Sequence, residues 1–252
     1  MELLYLDESQ NAAFDNDYHS PKEMEAKLAR VQILVGETEF KVLDVGGGNG
    51  RFLDSILDQF PSALGTLIDI SPQLVSLNHP HPRKTVTIGS VESLDDLFPP
   101  ESFDIITVNW LLHHLVAPSY RNCADNCRAA LMKCQRILKK DGVIIVAENM
   151  FDGFGGSNLP AWLIYMITTI RAPWFLALSR RYFNTAGVGV CFRSSGAWRA
   201  VFREAGLRTM YDDQGLVWEL TSKRKLLFPL LAIRQVLHRH FYLQVDTLRL
   251  PS

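Results

Sequence analysis

The chain has 252 residues, 47% of them hydrophobic, with 26 Lys and Arg against 27 Asp and Glu. That length and apolar content suit one α/β domain with an insertion and a sizeable buried core. A net charge of −1 excludes the basic balance of a nucleic-acid binder, so a small neutral or apolar partner is expected and no nucleic acid.

The opening residues, Met1 to Glu8, carry acid where a leader peptide carries base, and no long apolar run follows. A cytoplasmic protein is therefore expected, with residues 1–40 as a helical cover. From residue 41 short apolar runs alternate with helical patterns. Lys41–Val45 reads as a buried strand ending at glycines. Arg51–Phe60 places Phe52, Leu53, Ile56, Leu57 and Phe60 at helical spacing. Gly65–Ile70 is a second strand, after which Ser71-Pro72 opens a short helix with serine as cap and proline at the first helical position. Thr85–Ile88 and Phe103–Asn109 are the third and fourth strands.

Tyr120–Lys139 is a helix with Cys127, Ala130, Leu131, Cys134, Ile137 and Leu138 on one stripe. Asp141-Gly142 is expected to end it, the glycine acting as a left-handed cap. Val143–Ala147 is the fifth strand. These strands hardly alternate, so both faces are buried, and the alternating elements give a doubly wound, mostly parallel α/β sheet. Residues 41–150 form that core. Residues 151–196 are an aromatic-rich insertion, and residues 197–222 hold a last helix, Ala197–Ala205, with a hairpin of Leu207–Tyr211 and Leu216–Thr221. Residues 223–252 are a basic, apolar extension. The most apolar stretch, Leu159–Leu178, is broken by Arg171 and Pro173 and is too short to span a membrane. The four cysteines form no CxxC pair and read as small buried hydrophobes, not as a zinc or disulfide set.

The chemistry concentrates at Asp44-Val45-Gly46-Gly47-Gly48-Asn49-Gly50. A glycine turn between strand and helix lets backbone approach a ligand closely. The dinucleotide pattern GxGxxG fails, because Arg51 and Leu53 stand where its third glycine would fall. Asp44-x-Gly46-x-Gly48-x-Gly50 instead resembles motif I of the class I S-adenosylmethionine-dependent methyltransferases. The resemblance implies a Rossmann-like seven-stranded sheet and S-adenosylmethionine as cofactor, held by Asp44, Gly46, Gly47, Gly48 and Gly50. Asp69 at the end of the second strand suits a ribose diol, which a carboxylate accepts through two hydrogen bonds, and Ile70 would cover an adenine face. Gly89-Ser90-Val91-Glu92 resembles the stretch that meets the adenine edge, although an acid is usual where Ser90 stands; Val91 contributes its backbone. In similar enzymes Asn109 and Trp110 meet the methionine part.

His113 and His114 follow the fourth strand, at the sheet edge where ligands bind in such folds. Histidine is the side chain suited to take a proton from a hydroxyl acceptor near neutral pH. Adjacent residues point apart, so at most one of them acts directly. Glu148 and Asn149 are secondary candidates for orienting the acceptor, and His79 and His81 read as solvated surface. No Asp/Asn/Asp set for magnesium is evident and no metal is expected.

Phe151, Phe154, Trp162, Tyr165, Met166, Trp174, Phe175, Tyr182, Phe183 and Phe192 crowd the insertion, with Gly153, Gly155 and Gly156 as a hinge. Such a helical lid would line an acceptor pocket and exclude water. The expected reaction is methylation of a small apolar acceptor, aromatic or polyketide-like, on oxygen first and on nitrogen or carbon as alternatives. The insertion and the extension also offer a homodimer face or, with Arg234, His238, Arg239 and His240, a peripheral membrane contact to a lipid or quinone precursor. A non-catalytic S-adenosylmethionine-binding protein is the alternative of another class.

Overall fold

The structure, a computed structural model, describes residues 21–180, 185–215 and 227–247. The expectations for residues 1–20, for Tyr182 and Phe183, and for Leu216–Thr221 lie outside the described residues. Strands β1 (Phe40–Val45), β2 (Ala63–Asp69), β3 (Lys84–Ile88), β4 (Phe103–Asn109), β5 (Leu138–Gly153), β6 (Leu207–Gln214) and β7 (Ile233–Val245) form one sheet. Its order is β3-β2-β1-β4-β5-β7-β6. The described residues divide into two compact units, one within 21–109 and 133–145, the other within 110–132 and 146–247.

In the first unit, β1 pairs in parallel with β2 and β4, and β2 with β3. Val42, Leu43, Leu67 and Ile106 are fully buried, which is why these strands read as continuous apolar runs. Helix α2 (Arg51–Gln59) buries Phe52, Leu53, Ile56 and Leu57, the stripe its periodicity predicts. Each such side chain contributes roughly 1.5–3 kcal/mol on burial. A Cβ on Gly65 would stand 3.0 Å from Leu53, so this glycine sets how closely α2 approaches β2. Helix α1 (Pro21–Val35) buries Glu23, Lys27 and Val31. Successive steps of four residues put these on one helix face, and two of the three are charged.

In the second unit, β6 and β7 run antiparallel from Leu207↔Val245 to Gln214↔Arg239, with a bulge between Thr209 and Tyr211. A later helix (Ser195–Glu204) is capped by the Ser194 hydroxyl, which accepts from the Ala197 N–H, and buries Trp198, Val201 and Phe202. Phe202 meets Phe241 edge-on at 5.0 Å, and Gly206 at φ 78° ends the helix in the left-handed region.

Two expectations change. Helix Tyr120–Ile137 runs directly into β5, and Gly142 lies inside that strand with no left-handed turn. A Cβ there would meet Asp104 O at 2.9 Å and Leu138 at 2.8 Å, so close packing, not capping, requires glycine. The expected hairpin arm Leu216–Thr221 lies outside the described residues, and strand β6 pairs with Ile233–Val245. That also corrects the reading of this part of the extension as a surface element for a membrane or dimer. It is an interior strand, with His238 and His240 buried. Its Arg and His residues disguised it, because interior strands usually read as apolar runs. The apolar stretch after β5 forms two helices, Leu159–Thr168 and Pro173–Ser179. Among the described residues no helix is long and apolar enough to cross a membrane.

Candidate functional site

Two groupings of side chains stand out, one in each unit. In the first, the chain leaves β1 through Gly46 (φ 70°), Gly48 (φ 54°) and Gly50 (φ 79°), a conformation that costs L side chains energy. A Cβ on Gly47 would stand 2.6 Å from Asp44 Oδ2, and one on Gly50 only 1.9 Å from Asn78 Oδ1. The loop is tied back by Gly46 N–H donating to Ile68 O at 2.7 Å. Gly48 N–H donates to Asp69 Oδ2 at 2.9 Å, and Asn78 Nδ2 donates to Gly48 O at 2.8 Å. Lys84 Nζ holds Asn78 Oδ1 at 3.3 Å and Asp54 at 2.6 Å.

Asp44 is buried and accepts from the Thr107 hydroxyl at 2.6 Å. Burial pushes its carboxyl up to about 6, against the pull of Thr107, Lys27 and Asn109. Asp69 is also buried and raised by desolvation, while N–H groups of Ser71 and Gly48 hold it back. Its Oδ1 accepts from Ser71 N–H at 2.8 Å. Backbone N–H groups of Gly48, Ser71 and Ile70 thus reach this carboxylate, whose roughly four lone-pair sites still leave acceptor capacity for a ligand. Ile70, beside Asp69, is 46% exposed. Ser90 caps the turn Val91–Ser93, its hydroxyl accepting from Glu92 N–H at 3.2 Å, and Val91 is buried. Asn109 Oδ1 accepts from Lys27 Nζ at 2.9 Å. A left-handed glycine loop, a buried carboxylate with acceptor capacity and an exposed apolar residue beside it fit a nucleoside-bearing cofactor without phosphates.

In the second unit, Trp110 follows β4 at φ 49°, a conformation uncommon for a bulky residue. Its N–H donates to Ala147 O at 2.8 Å, and its ring stacks on His238 at 4.9 Å. Strain of this kind gathers at ligand sites. A short turn, Leu112–His114, follows. His113 is buried with Nδ1 2.6 Å from Glu148 Oε2, and its backbone N–H donates to Glu148 Oε1 at 3.3 Å. Burial depresses the His113 ring to about 3 and raises Glu148 well above the carboxylate range. The His114 ring, also depressed by desolvation, lies 4.2 Å from that of His113. Phe192 stacks on His113 at 4.6 Å and Phe151 packs on Phe192 at 4.7 Å. Tyr120 donates its hydroxyl to Phe192 O at 2.6 Å and receives Asn158 Nδ2 at 3.0 Å.

The structure thus brings Asp44, the glycines, Asp69 and Asn109 together, and pairs His113 with Glu148. Sequence reasoning missed Lys27, Asn78 and Thr107. Thr107 sits two residues before Asn109, on the same face of β4, which an alternation argument can reach. Lys27 and Asn78 left no local signal.

A sheet of this order with a glycine loop after β1 defines the class I methyltransferase fold. Residues 43–144 match the methyltransferase domain family. Malonyl-[acyl-carrier protein] O-methyltransferase of Paenibacillus sp. (strain JDR-2) is 25% identical over 231 residues, covering 82% of this chain and 71% of that protein. O-methyltransferase aclM of Aspergillus oryzae is 29% identical over 126 residues, 44% of this chain and 27% of that protein. A putative sarcosine dimethylglycine methyltransferase from Galdieria sulphuraria superposes with a TM-score of 0.60 at 17% identity, over 96% of this chain and 92% of that one. Residues 43–144 are thus similar to that domain family, and the sheet has the class I S-adenosylmethionine-dependent methyltransferase fold.

Proposed function

We propose that the protein methylates an oxygen of a small, largely apolar acceptor, with His113 as the base that takes the acceptor's proton. The contact between His113 Nδ1 and Glu148 Oε2 at 2.6 Å carries this reading. S-adenosylmethionine supplies an activated methyl group, so the chain must position the acceptor, exclude water and remove one proton. Gly46, Gly47, Gly48 and Gly50 admit the cofactor to the backbone, with Asp44 supporting the loop. Asp69 takes the ribose hydroxyls. Ile70, Ser90 and Val91 border the adenine, and Asn109 and Trp110 the methionine part.

Glu148 is a positioning residue. Its ionised carboxylate accepts Nδ1–H of His113, which leaves the Nε2 lone pair for the acceptor and balances the imidazolium once the proton arrives. Because burial raises Glu148, turnover climbs with pH as that carboxyl ionises. Phe192 and Phe151, layered on His113, favour an apolar acceptor with few waters beside it.

The test uses methyl-labelled S-adenosylmethionine with a panel of phenols and free carboxylic acids, each product mapped by mass spectrometry. His113→Ala is expected to slow turnover by about 10²–10⁴-fold, with cofactor affinity unchanged and His114→Ala much milder. Label on carbon or nitrogen, or an unimpaired His113→Ala enzyme, overturns the reading.

The face of helix Leu159–Thr168 favours a second role for the insertion. Leu159, Trp162 and Met166 are exposed there, and Trp174 further on is 74% exposed. Large exposed apolar rows mark association sites, and we assign this one to self-association. A monomer at all concentrations in sedimentation would remove that assignment, and binding to anionic vesicles would transfer the face to a membrane.

A further inference from the structure

The second unit buries a cation and three thiols that the proposed reaction does not use. Arg193 is 5% exposed, yet it makes no ion pair among the described residues. Its guanidinium lies 4.9 Å over the Tyr120 ring and 5.8 Å from that of Trp198. One nitrogen donates to Tyr120 O at a long 3.5 Å, and Nε has no hydrogen-bond partner. A buried charge is costly unless an opposite charge or dipole offsets it. The titratable groups whose fields reach this one are Tyr120, Cys123, Cys127 and Cys191. Burial raises the Tyr120 hydroxyl, whose proton is committed to Phe192 O at 2.6 Å. A thiol is left to carry the negative charge.

The three sulfurs lie against one turn, residues 112–117. Cys127 Sγ donates to Leu112 O at 3.3 Å, and Cys191 Sγ lies 3.7 Å from Leu112 O and 3.9 Å from Leu115 O. Cys123 differs. As a thiol it donates to Ser119 O at 3.3 Å, but its sulfur also accepts the Ala117 N–H at 3.2 Å, and the Cys191 thiol reaches it as a donor. Two donors and a guanidinium thus converge on one sulfur. The Cys191 hydrogen bond, with smaller help from Ala117 and Arg193, holds the Cys123 thiol below its ordinary value against burial, while burial raises Cys191 well above it.

We propose that Cys123 and Cys191 are a reversible oxidation site, joined as a disulfide by hydrogen peroxide, with Arg193 holding Cys123 as the attacking thiolate. Neither sulfur is exposed, so the oxidant must be small and enter by local opening. The Cys123 thiolate attacks one peroxide oxygen. Hydroxide leaves and takes up the proton that Cys123 gave up, which yields a sulfenic acid and water. The Cys191 thiol then attacks the Cys123 sulfur, the S–O bond breaks, and the hydroxyl leaves as water with the Cys191 proton. Peroxide gains the two electrons that the two thiols lose. Cys191 N–H donates to His113 O at 2.8 Å, and Phe192, the next residue, stacks on the His113 ring. Drawing Cys191 toward the helix Tyr120–Ile137 therefore disturbs the backing of that ring. This effect on turnover, though not the disulfide, rests on His113 as the base.

The full chain is treated with hydrogen peroxide, unfolded, blocked with N-ethylmaleimide and mapped by mass spectrometry. A linked Cys123–Cys191 peptide that dithiothreitol releases is expected, with Cys127 and Cys134 blocked as free thiols. Arg193→Gln is expected to slow its formation by about tenfold or more, and Arg193→Lys to restore most of the rate. In Cys191→Ser the sulfenic acid is expected to persist on Cys123 and to be trapped by dimedone, which tests the order of attack should the Arg193 variants fail to fold. Unlinked Cys123 and Cys191 at peroxide levels that oxidise the methionines overturn the proposal. So does a link through Cys127, or an Arg193→Gln protein that oxidises at the unmodified rate. Turnover is expected to fall severalfold in the linked protein and to return with dithiothreitol. A linked protein with full turnover strikes the coupling to His113 and leaves the disulfide standing.

Discussion

At the backbone of the glycine loop itself, the contacts join residues close in the chain, although the Asp44–Thr107 bond beside it spans 63 positions. Gly48 meets Asp69 across 21 positions and Asn78 across 30. Around His113 the partners are farther away, with Glu148 at 35 positions, Tyr120 reaching Phe192 across 72, and Cys191 donating weakly to Leu112 O across 79. The first arrangement consists mainly of backbone groups and absent side chains. The second consists of side chains on a turn, a strand and loops. A backbone device tolerates little variation and therefore keeps a recognisable pattern. A side-chain device can be assembled from many different positions, and one fold can carry many acceptors for that reason.

That contrast sets which experiments separate the two regions. The largest effect is expected from Glu148→Ala. It leaves the His113 ring nitrogen and backbone N–H without their buried acceptor, at a cost of about 3 kcal/mol in stability. Urea unfolding checks it. Glu148→Gln keeps the shape and is expected to spare most of that stability while flattening the rise of turnover with pH. A Gln variant with an unchanged pH profile would reduce Glu148 to a structural partner and blur the distinction between the regions.

Next comes the alkaline stability of the loop region. Lys27 sits at about 7 in the folded protein against an ordinary 10.5. Between those values the unfolded chain binds more protons than the folded one, so this residue makes stability rise with pH. The slope reaches at most about 1.4 kcal/mol per pH unit and vanishes above 10.5. Lys27→Met is expected to lose that slope, read as the difference between the two unfolding curves from pH 7.5 to 10. Parallel curves would mean that the amine stays charged in the free protein.

Asp69→Ala is expected to weaken S-adenosylmethionine at least tenfold, about 1.4 kcal/mol, and to leave acceptor affinity alone. Its backbone donors, Gly48 and Ser71 among them, lose their acceptor as well. Asp69→Asn keeps one acceptor oxygen and is expected to fall between the two. Cofactor binding that is indifferent to both changes would remove Asp69 from the ribose role.

The first region was legible because Asp44 and its glycines announce a turn that only glycine can make, and because the first strands read as apolar runs. Asp69 followed from its place at a strand end. Lys27 was not legible, since a lysine in an ordinary amphipathic helix reads as solvated until its partners at Phe52, Asn109 and Asp44 are placed. Strand β7 was hidden by its own chemistry. His238 and His240 occupy buried positions that a pattern reader expects to be Val or Ile. Its pairing with β6 spans 38 residues at Leu207↔Val245, beyond the reach of hairpin signals. His113 and Glu148 were both legible as candidates at strand ends, and only the fold pairs them.

The smallest effect isolates the acceptor side. Tyr120→Phe removes the hydroxyl that binds Phe192 O and receives Asn158. Phe192 O then loses a partly buried donor, at about 1 kcal/mol. The Phe192 ring is the layer directly on His113, so its backbone gains freedom beside that ring. Turnover is therefore expected to fall severalfold with S-adenosylmethionine affinity unchanged, and the acceptor's apparent affinity to fall with it. If Tyr120→Phe weakened cofactor binding instead, the Tyr120–Phe192–His113 chain would belong to the cofactor's surroundings. The separation of a backbone-built donor site from a side-chain-built acceptor site would then fail.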